Sequence, residues 1–256
     1  MVIIKMNSAT TEMSKLIKIC SANLFKTEFG QKYFYERGIS KESCSSYNLG
    51  VFPSNINLVK KYIDLEVLLK TGIVKYDGFS DFSDYYRIVI PIYNEAGMPI
   101  GIAGRTILEE ADRKYLKLSK YKNSIYKKSR ILFGMDKALP HILNAGEVYV
   151  VEGYFDQIAM LKAGLKNTVA LGGTAFSKMH LLKLMRFCKK INFVLDNDEP
   201  GINSAKRIQN KFSKYGINMN FFLCEKQYKD VDEMISSSNL NKITLKNKLH
   251  NNVLFL

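Results

Sequence analysis

Three clusters of carboxylates carry the most chemistry in this chain: Glu152 with Asp156, Asp196 with Asp198, and Asp230 and Asp232 with Glu233. The first two stand at the ends of apolar runs. Glu147-Val-Tyr-Val-Val reads as a buried strand that delivers Glu152 to a turn at Gly153, with Asp156 one helical turn further on. Ile191-Asn-Phe-Val-Leu repeats the plan for Asp196 and Asp198. Carboxylates grouped at neighbouring strand ends repel one another unless a cation holds them, and hard divalent cations prefer oxygen ligands. The expected occupant is Mg2+ (or Mn2+), as two or more ions about 4 Å apart that stabilise the attacking and leaving oxygens of a phosphoryl transfer. Glu152 could instead act as general base toward an attacking hydroxyl. Acidic residues at helix starts also serve as caps, and one cluster alone would favour that reading; three at the same end of one sheet favour a site. The D-x-D at Asp196 does not open a calcium loop, because Pro200 and Arg207 fall at its fifth and twelfth positions.

The elements that must position these groups alternate regularly from residue 147. Strand 147–152, helix 154–163, strand 168–171, helix 177–189, strand 191–196, a helix to about Lys214, strand 218–224 and a helix from about Asp230 predict an α/β fold. The sheet would be parallel and Rossmann-like, with helices on both faces. Its strand ends lie where open α/β sheets bind ligands. Before residue 147 the pattern is that of an α+β lobe. A helix over 8–29 is interrupted by Gly30 and closed by Gly38, and Ser40 caps a short helix reaching Tyr47 and closed by Gly50 and Pro53. A further helix covers Leu58–Lys70. Arg87–Tyr93 and Met98–Arg105 form a hairpin across Asn94–Gly97. Residues 113–130 are dense in Lys, Arg and Tyr, a mixture suited to phosphate contact and base stacking, although a solvated loop would read similarly.

Bulk composition fits a globular chain with a basic face. Among 256 residues, 38 Lys+Arg against 24 Asp+Glu leave a formal charge of +14, which points to a polyanionic partner, nucleic acid before membrane. Cys20, Cys44, Cys188 and Cys224 lie far apart without a C-x-x-C pair, so no zinc ribbon and no disulfide framework is expected, and no zinc. His141, His180 and His250 read as structural or surface residues. No G-x-x-x-x-G-K-[ST] occurs, which argues against a helicase motor. There is no apolar leader and no run of membrane-spanning length, so a cytoplasmic location without a membrane partner is expected.

The region 147–232 resembles the TOPRIM domain shared by DnaG-type primases, topoisomerases, and certain nucleases and recombination proteins, through Glu152-Gly153 and the D-x-D of Asp196 and Asp198. The flanks are similar to the catalytic core of the primases in particular. Tyr33-Phe-Tyr-Glu-Arg-Gly-Ile-Ser40, Tyr47 to Pro53, Arg87-Ile-Val-Ile-Pro-Ile and Gly101-Ile-Ala-Gly-Arg105 follow that family's order. So do Lys114-Tyr-Leu, Tyr126-Lys-Lys-Ser-Arg130, Glu152-Gly-Tyr-Phe-Asp156, Gly173-Thr174 and Lys229-Asp-Val-Asp-Glu233. The resemblance implies a primase N-terminal subdomain over 1–140, a TOPRIM domain over 141–240 and a short tail over 241–256.

It also implies roles. Glu152, Asp196 and Asp198 would be catalytic. Glu152, Asp156, Asp196, Asp198, Asp230 and Asp232 would bind metal. Arg87, Arg105, Lys114, Lys128, Arg130, Gly153, Gly173 and Thr174 would hold nucleotide or DNA. The implied activity is synthesis of short RNA primers on a single-stranded DNA template from ribonucleoside triphosphates, with a replicative helicase supplied separately. Ser129, Leu118 and Val231 depart from the family's usual Gly, Asn and Pro. The family's zinc module and helicase-binding region find no counterpart in the sequence, a compact plan that would suit a phage or mobile-element gene. Another TOPRIM phosphotransfer enzyme such as a nuclease, and a non-catalytic DNA- or helicase-binding remnant, are the alternatives.

Overall fold

The structure, a computed structural model, describes residues 2–228, 230–238, 240–251 and 253–254. The chain divides into two compact units, Met1–Tyr93 with Met98–Tyr126, and Asn94–Gly97 with Lys127–Leu256.

In the first unit an antiparallel sheet of β1 (Gly50–Val51), β2 (Ile88–Tyr93), β3 (Pro99–Arg105) and β4 (Tyr121–Asn123) runs in that order. Met13, Leu16, Ile17 and Cys20 of the long helix Val2–Leu24 pack with Phe52, Phe82, Val89 and Ile102 in its core. The helix crosses β1 so closely that a Cβ on Gly50 would lie 2.5 Å from the Cys20 backbone, which is why no side chain fits there. The lobe departs from the sequence reading in several places. Its first helix stops at Leu24, and Gly30 interrupts nothing: it sits inside Glu28–Glu36, where a Cβ would meet Val51 Cγ2 at 2.3 Å. Gly50 belongs to a strand and does not close a helix. The helix expected over Leu58–Lys70 is two, Ile56–Lys60 and Leu65–Lys70. The break is built by Asp64, whose Oδ1 accepts from the Glu66 and Val67 N–H groups as a new N-cap while its own N–H donates to Glu12 Oε2. The basic stretch 113–130 is ordered into the helix Glu110–Tyr115, β4 and a 3-10 turn, Lys128–Arg130.

In the second unit β5 (Glu147–Val151), β6 (Thr168–Ala170), β7 (Lys190–Leu195) and β8 (Asn218–Leu223) are all parallel, in the order β6-β5-β7-β8. Val148, Val150, Ile191, Phe193 and Leu195 pack against Met135, Ala138, Leu181, Leu184, Ala205 and Ile208 from three helices. The alternate residues Tyr149, Val151, Val194 and Phe222 are equally buried, so both faces of the sheet are covered, as a parallel sheet requires. Each such side chain contributes roughly 1.5–3 kcal/mol by leaving water. Two helices were not anticipated: Met135–Ala145, masked by its internal Pro140, and Lys242–Asn251, whose Leu245 and Leu249 are buried. The chain passes from β5 outward to β6, then returns across β5 to β7. That reversal makes the β5/β7 boundary the switch point of the sheet.

Candidate active site

Glu152 leaves β5 and Asp196 leaves β7, so the two carboxylates occupy adjacent strand ends at the switch point. Both are half-buried. Glu152 Oε1 is buried with no hydrogen-bond partner. Burial raises the Glu152 pKa and the Asp198 charge adds to it, while the Asp196 backbone partly offsets both. Asp196 is pushed up to about 7, first by burial and then by repulsion from Glu152, Asp156, Asp230 and Asp198. An unpaired buried carboxylate oxygen is costly, so the pair is unfavourable without a cation.

Three of the remaining acids spend oxygens on backbone. Asp198 is the N-cap of the helix Glu199–Phe212, and its Oδ1 accepts from the Gly201 N–H at 2.7 Å. Asp230 Oδ1 accepts from the Glu233 N–H at 2.9 Å, at the start of Val231–Ser238. Asp156 is the most engaged: Oδ2 accepts from Gly153 N–H at 2.9 Å and Oδ1 from Asp232 N–H at 3.1 Å. It thus ties the helix that begins at Tyr154 to the half-buried Asp232. Its pKa is pushed up to about 7, chiefly by burial and then by Asp230. Gly153 is glycine because a Cβ there would lie 2.6 Å from Asp156 Oδ2. Gly173 has φ 75 in the loop after β6, beside half-buried Thr174, and the preceding Gly172 donates its N–H to the Glu152 carbonyl at 3.0 Å. Among the described residues no three His, Cys, Asp or Glu side chains converge to hold an ion. The donor set still fits a hard cation, on the orphaned Glu152 oxygen and the mutual repulsion at Asp196.

The expected basic residues divide between the units. In the first, Arg87 lies with its guanidinium 4.7 Å over the Phe29 ring while Nε–H donates to the Phe52 carbonyl, and burial lowers its pKa. Arg105 donates from Nη1 to the Tyr121 hydroxyl at 2.7 Å. Both arginines line a cavity of about 220 Å³ with Phe29, Asp84 and Ile107. Lys114 is exposed and paired with Glu110 at 2.7 Å. In the second unit, Lys128 is half-buried in its 3-10 turn and Arg130 is exposed. Arg37 lies beside the first unit's group: its guanidinium is 5.2 Å from the Tyr33 ring, and that of Arg105 is 5.8 Å from the same ring.

Residues 149–235 match the family profile described as Toprim-like, and residues 20–139 match that of the DNA primase catalytic core, N-terminal domain. The DNA primase of Lactococcus lactis is 36% identical over 189 residues, covering 71% of this chain and 30% of the relative. That of Helicobacter pylori strain J99 is 32% identical over 241 residues, covering 91% of this chain and 42% of the relative. The crystal structure of the Aquifex aeolicus primase, zinc-binding and RNA polymerase domains, superimposes with a TM-score of 0.84 at 28% identity, over 96% of this chain and 62% of that one. The fold and its acidic rim thus define a mixed α/β chain with a Toprim-like domain, a class that points to divalent-metal use. The chain belongs to the DnaG-type DNA primases, matching their catalytic core. It spans less than half the length of these curated relatives. Among the described residues no helix is long and apolar enough to cross a membrane.

Proposed function

We propose that this chain is a primase catalytic core: a nucleotidyltransferase that makes short RNA primers on single-stranded DNA from ribonucleoside triphosphates, using Mg2+ or Mn2+. The observation that carries the reading is the buried, partnerless Glu152 oxygen beside Asp196 at the sheet's switch point, in a chain of this family. Glu152 and Asp196 would hold the metal, with Asp198, Asp230 and Asp232 around them. Bound there, a divalent cation supplies Lewis-acid stabilisation of the phosphate oxygens and acidifies the attacking 3′-hydroxyl.

The protein's own groups supply position. Asp156 locks the backbone of Gly153 to that of Asp232, and Asp198 fixes the start of the helix Glu199–Phe212. Gly173 and Thr174 border the same strand ends. Arg87, Arg105, Lys114, Lys128 and Arg130 bind nucleotide phosphates and template, because triphosphates and DNA need cations beside the metal. The protein works in the cytoplasm, and a replicative helicase recruits it to the template.

Incubation with labelled ribonucleotides, single-stranded DNA and Mg2+ or Mn2+ tests the reading. Short RNA products are expected. Shortened DNA would replace the proposal with a nuclease, and DNA binding without any product would reduce the chain to a binding module.

A further inference from the structure

The start of the helix Lys178–Leu184 does more than cap itself. Ser177, its N-cap, accepts from the His180 N–H at 3.1 Å, and His180 Nδ1 accepts from the Ser177 N–H at 3.3 Å, closing a capping box. With Nδ1 used as acceptor on the neutral ring, the imidazole proton sits on Nε2. Nε2 lies 3.0 Å from the Lys128 carbonyl and therefore donates to it. The Ser177 hydroxyl donates to the next carbonyl, that of Ser129, at 2.5 Å. Two consecutive carbonyls of the basic turn are thus held by one pair of side chains from a helix about fifty residues away. Capping explains neither bond.

The turn needs such support. Lys128–Arg130 is a single 3-10 turn without a side-chain cap, closed by Arg130 N–H to Lys127 O and Ile131 N–H to Lys128 O, both at 3.0 Å. Turns this short do not hold their shape alone. On its C-terminal side the chain is anchored where Phe133 and Ala170 exchange backbone hydrogen bonds. On its N-terminal side the holding groups are Ser177 and His180. His180 is fully buried, its ring packed 5.8 Å from that of Phe176, so it offers a fixed donor.

We propose that Ser177 and His180 are positioning residues that fix the Lys128–Arg130 turn for contact with the nucleotide triphosphate. The proposal rests on the primase reading. It concerns ground-state binding, so its signature is a rise in KM for nucleotide with kcat little changed.

The test uses the full chain in steady-state primer synthesis, with hydrogen exchange of the 128–131 amides and thermal melting as parallel readouts. His180→Phe keeps the ring's packing and removes the bonds from His180 to the Lys128 carbonyl and the Ser177 N–H. KM for nucleotide should rise roughly tenfold, the size of a lost buried hydrogen bond, and the turn amides should lose protection. Ser177→Gly keeps a good N-cap residue but has no hydroxyl to give Ser129; KM should rise several-fold with little change in melting temperature. His180→Gln retains both a capping acceptor and a donor long enough for Lys128, and should restore KM to near the wild-type value. Wild-type KM in both His180→Phe and Ser177→Gly, or a loss confined to melting temperature, would overturn the positioning role while the wild type still primes. A wild type that neither binds triphosphate nor primes would overturn the primase reading and this proposal with it.

Discussion

Asp196 shows the electrostatics of the acidic rim most directly. Its pKa stands near 7, against an unfolded value of roughly 4, and burial and four neighbouring carboxylates are the causes. An acid raised in this way leaves the fold unaffected below pH 4, destabilises it progressively from about pH 4 to pH 7, and exerts its full penalty above that. Asp196→Asn should therefore stabilise the protein in EDTA at pH 8, by roughly 1–2 kcal/mol after allowance for solvent screening and coupling, and have almost no effect at pH 4. Denaturant melts at the two pH values measure it, and a variant destabilised at pH 8 would contradict the account. Adding Mg2+ should raise the wild-type melting temperature more at pH 8 than at pH 5, and raise that of Asp196→Asn much less at either. The positions of Glu152 and Asp196 at strand ends were readable from the sequence because an apolar run that stops at an acid is a local pattern. The bonds of Ser177 and His180 to the 128–129 carbonyls were not, since those partners are brought close only by the fold.

Elements set how tightly the acidic rim is built. Gly201 lies in the first turn of the helix Glu199–Phe212, where a Cβ would come within 2.2 Å of the Asp196 carbonyl oxygen. Gly201→Ala must push that helix away from the end of β7. A loss of roughly 1–3 kcal/mol in unfolding free energy is expected, together with a higher Mg2+ concentration for half-maximal activity. An alanine variant with wild-type stability and metal requirement would show that the close approach is not needed. The parallel sheet was legible because short, mostly apolar runs alternate with helical patterns across Gly164, Gly172 and Gly216. The first lobe was less so. Asp64 starts a helix within what reads as one amphipathic pattern, and Gly30 is a packing contact with Val51 where a lone glycine reads as a break. Pro140 argues against a helix that the core nonetheless enforces through Met135, Ala138 and Ile142.

For the whole molecule, a charge of +14 coexists with a carboxylate rim at one end of a sheet. Charge of that sign serves affinity for a polyanion and does not itself specify chemistry. Binding to single-stranded DNA should weaken by at least tenfold between 50 and 200 mM salt and should persist in EDTA; salt-independent binding would remove the electrostatic account. Binding and catalysis are thereby separable. The central claim is that Glu152 at the end of β5 is where phosphodiester bonds form. Its most direct test is formation of the first dinucleotide from labelled ribonucleotides on single-stranded DNA with Mg2+, comparing wild type with Glu152→Gln. The account predicts product from the wild type and a fall of at least a hundredfold in Glu152→Gln, with folding and DNA affinity intact. Equal product from the two proteins would contradict it.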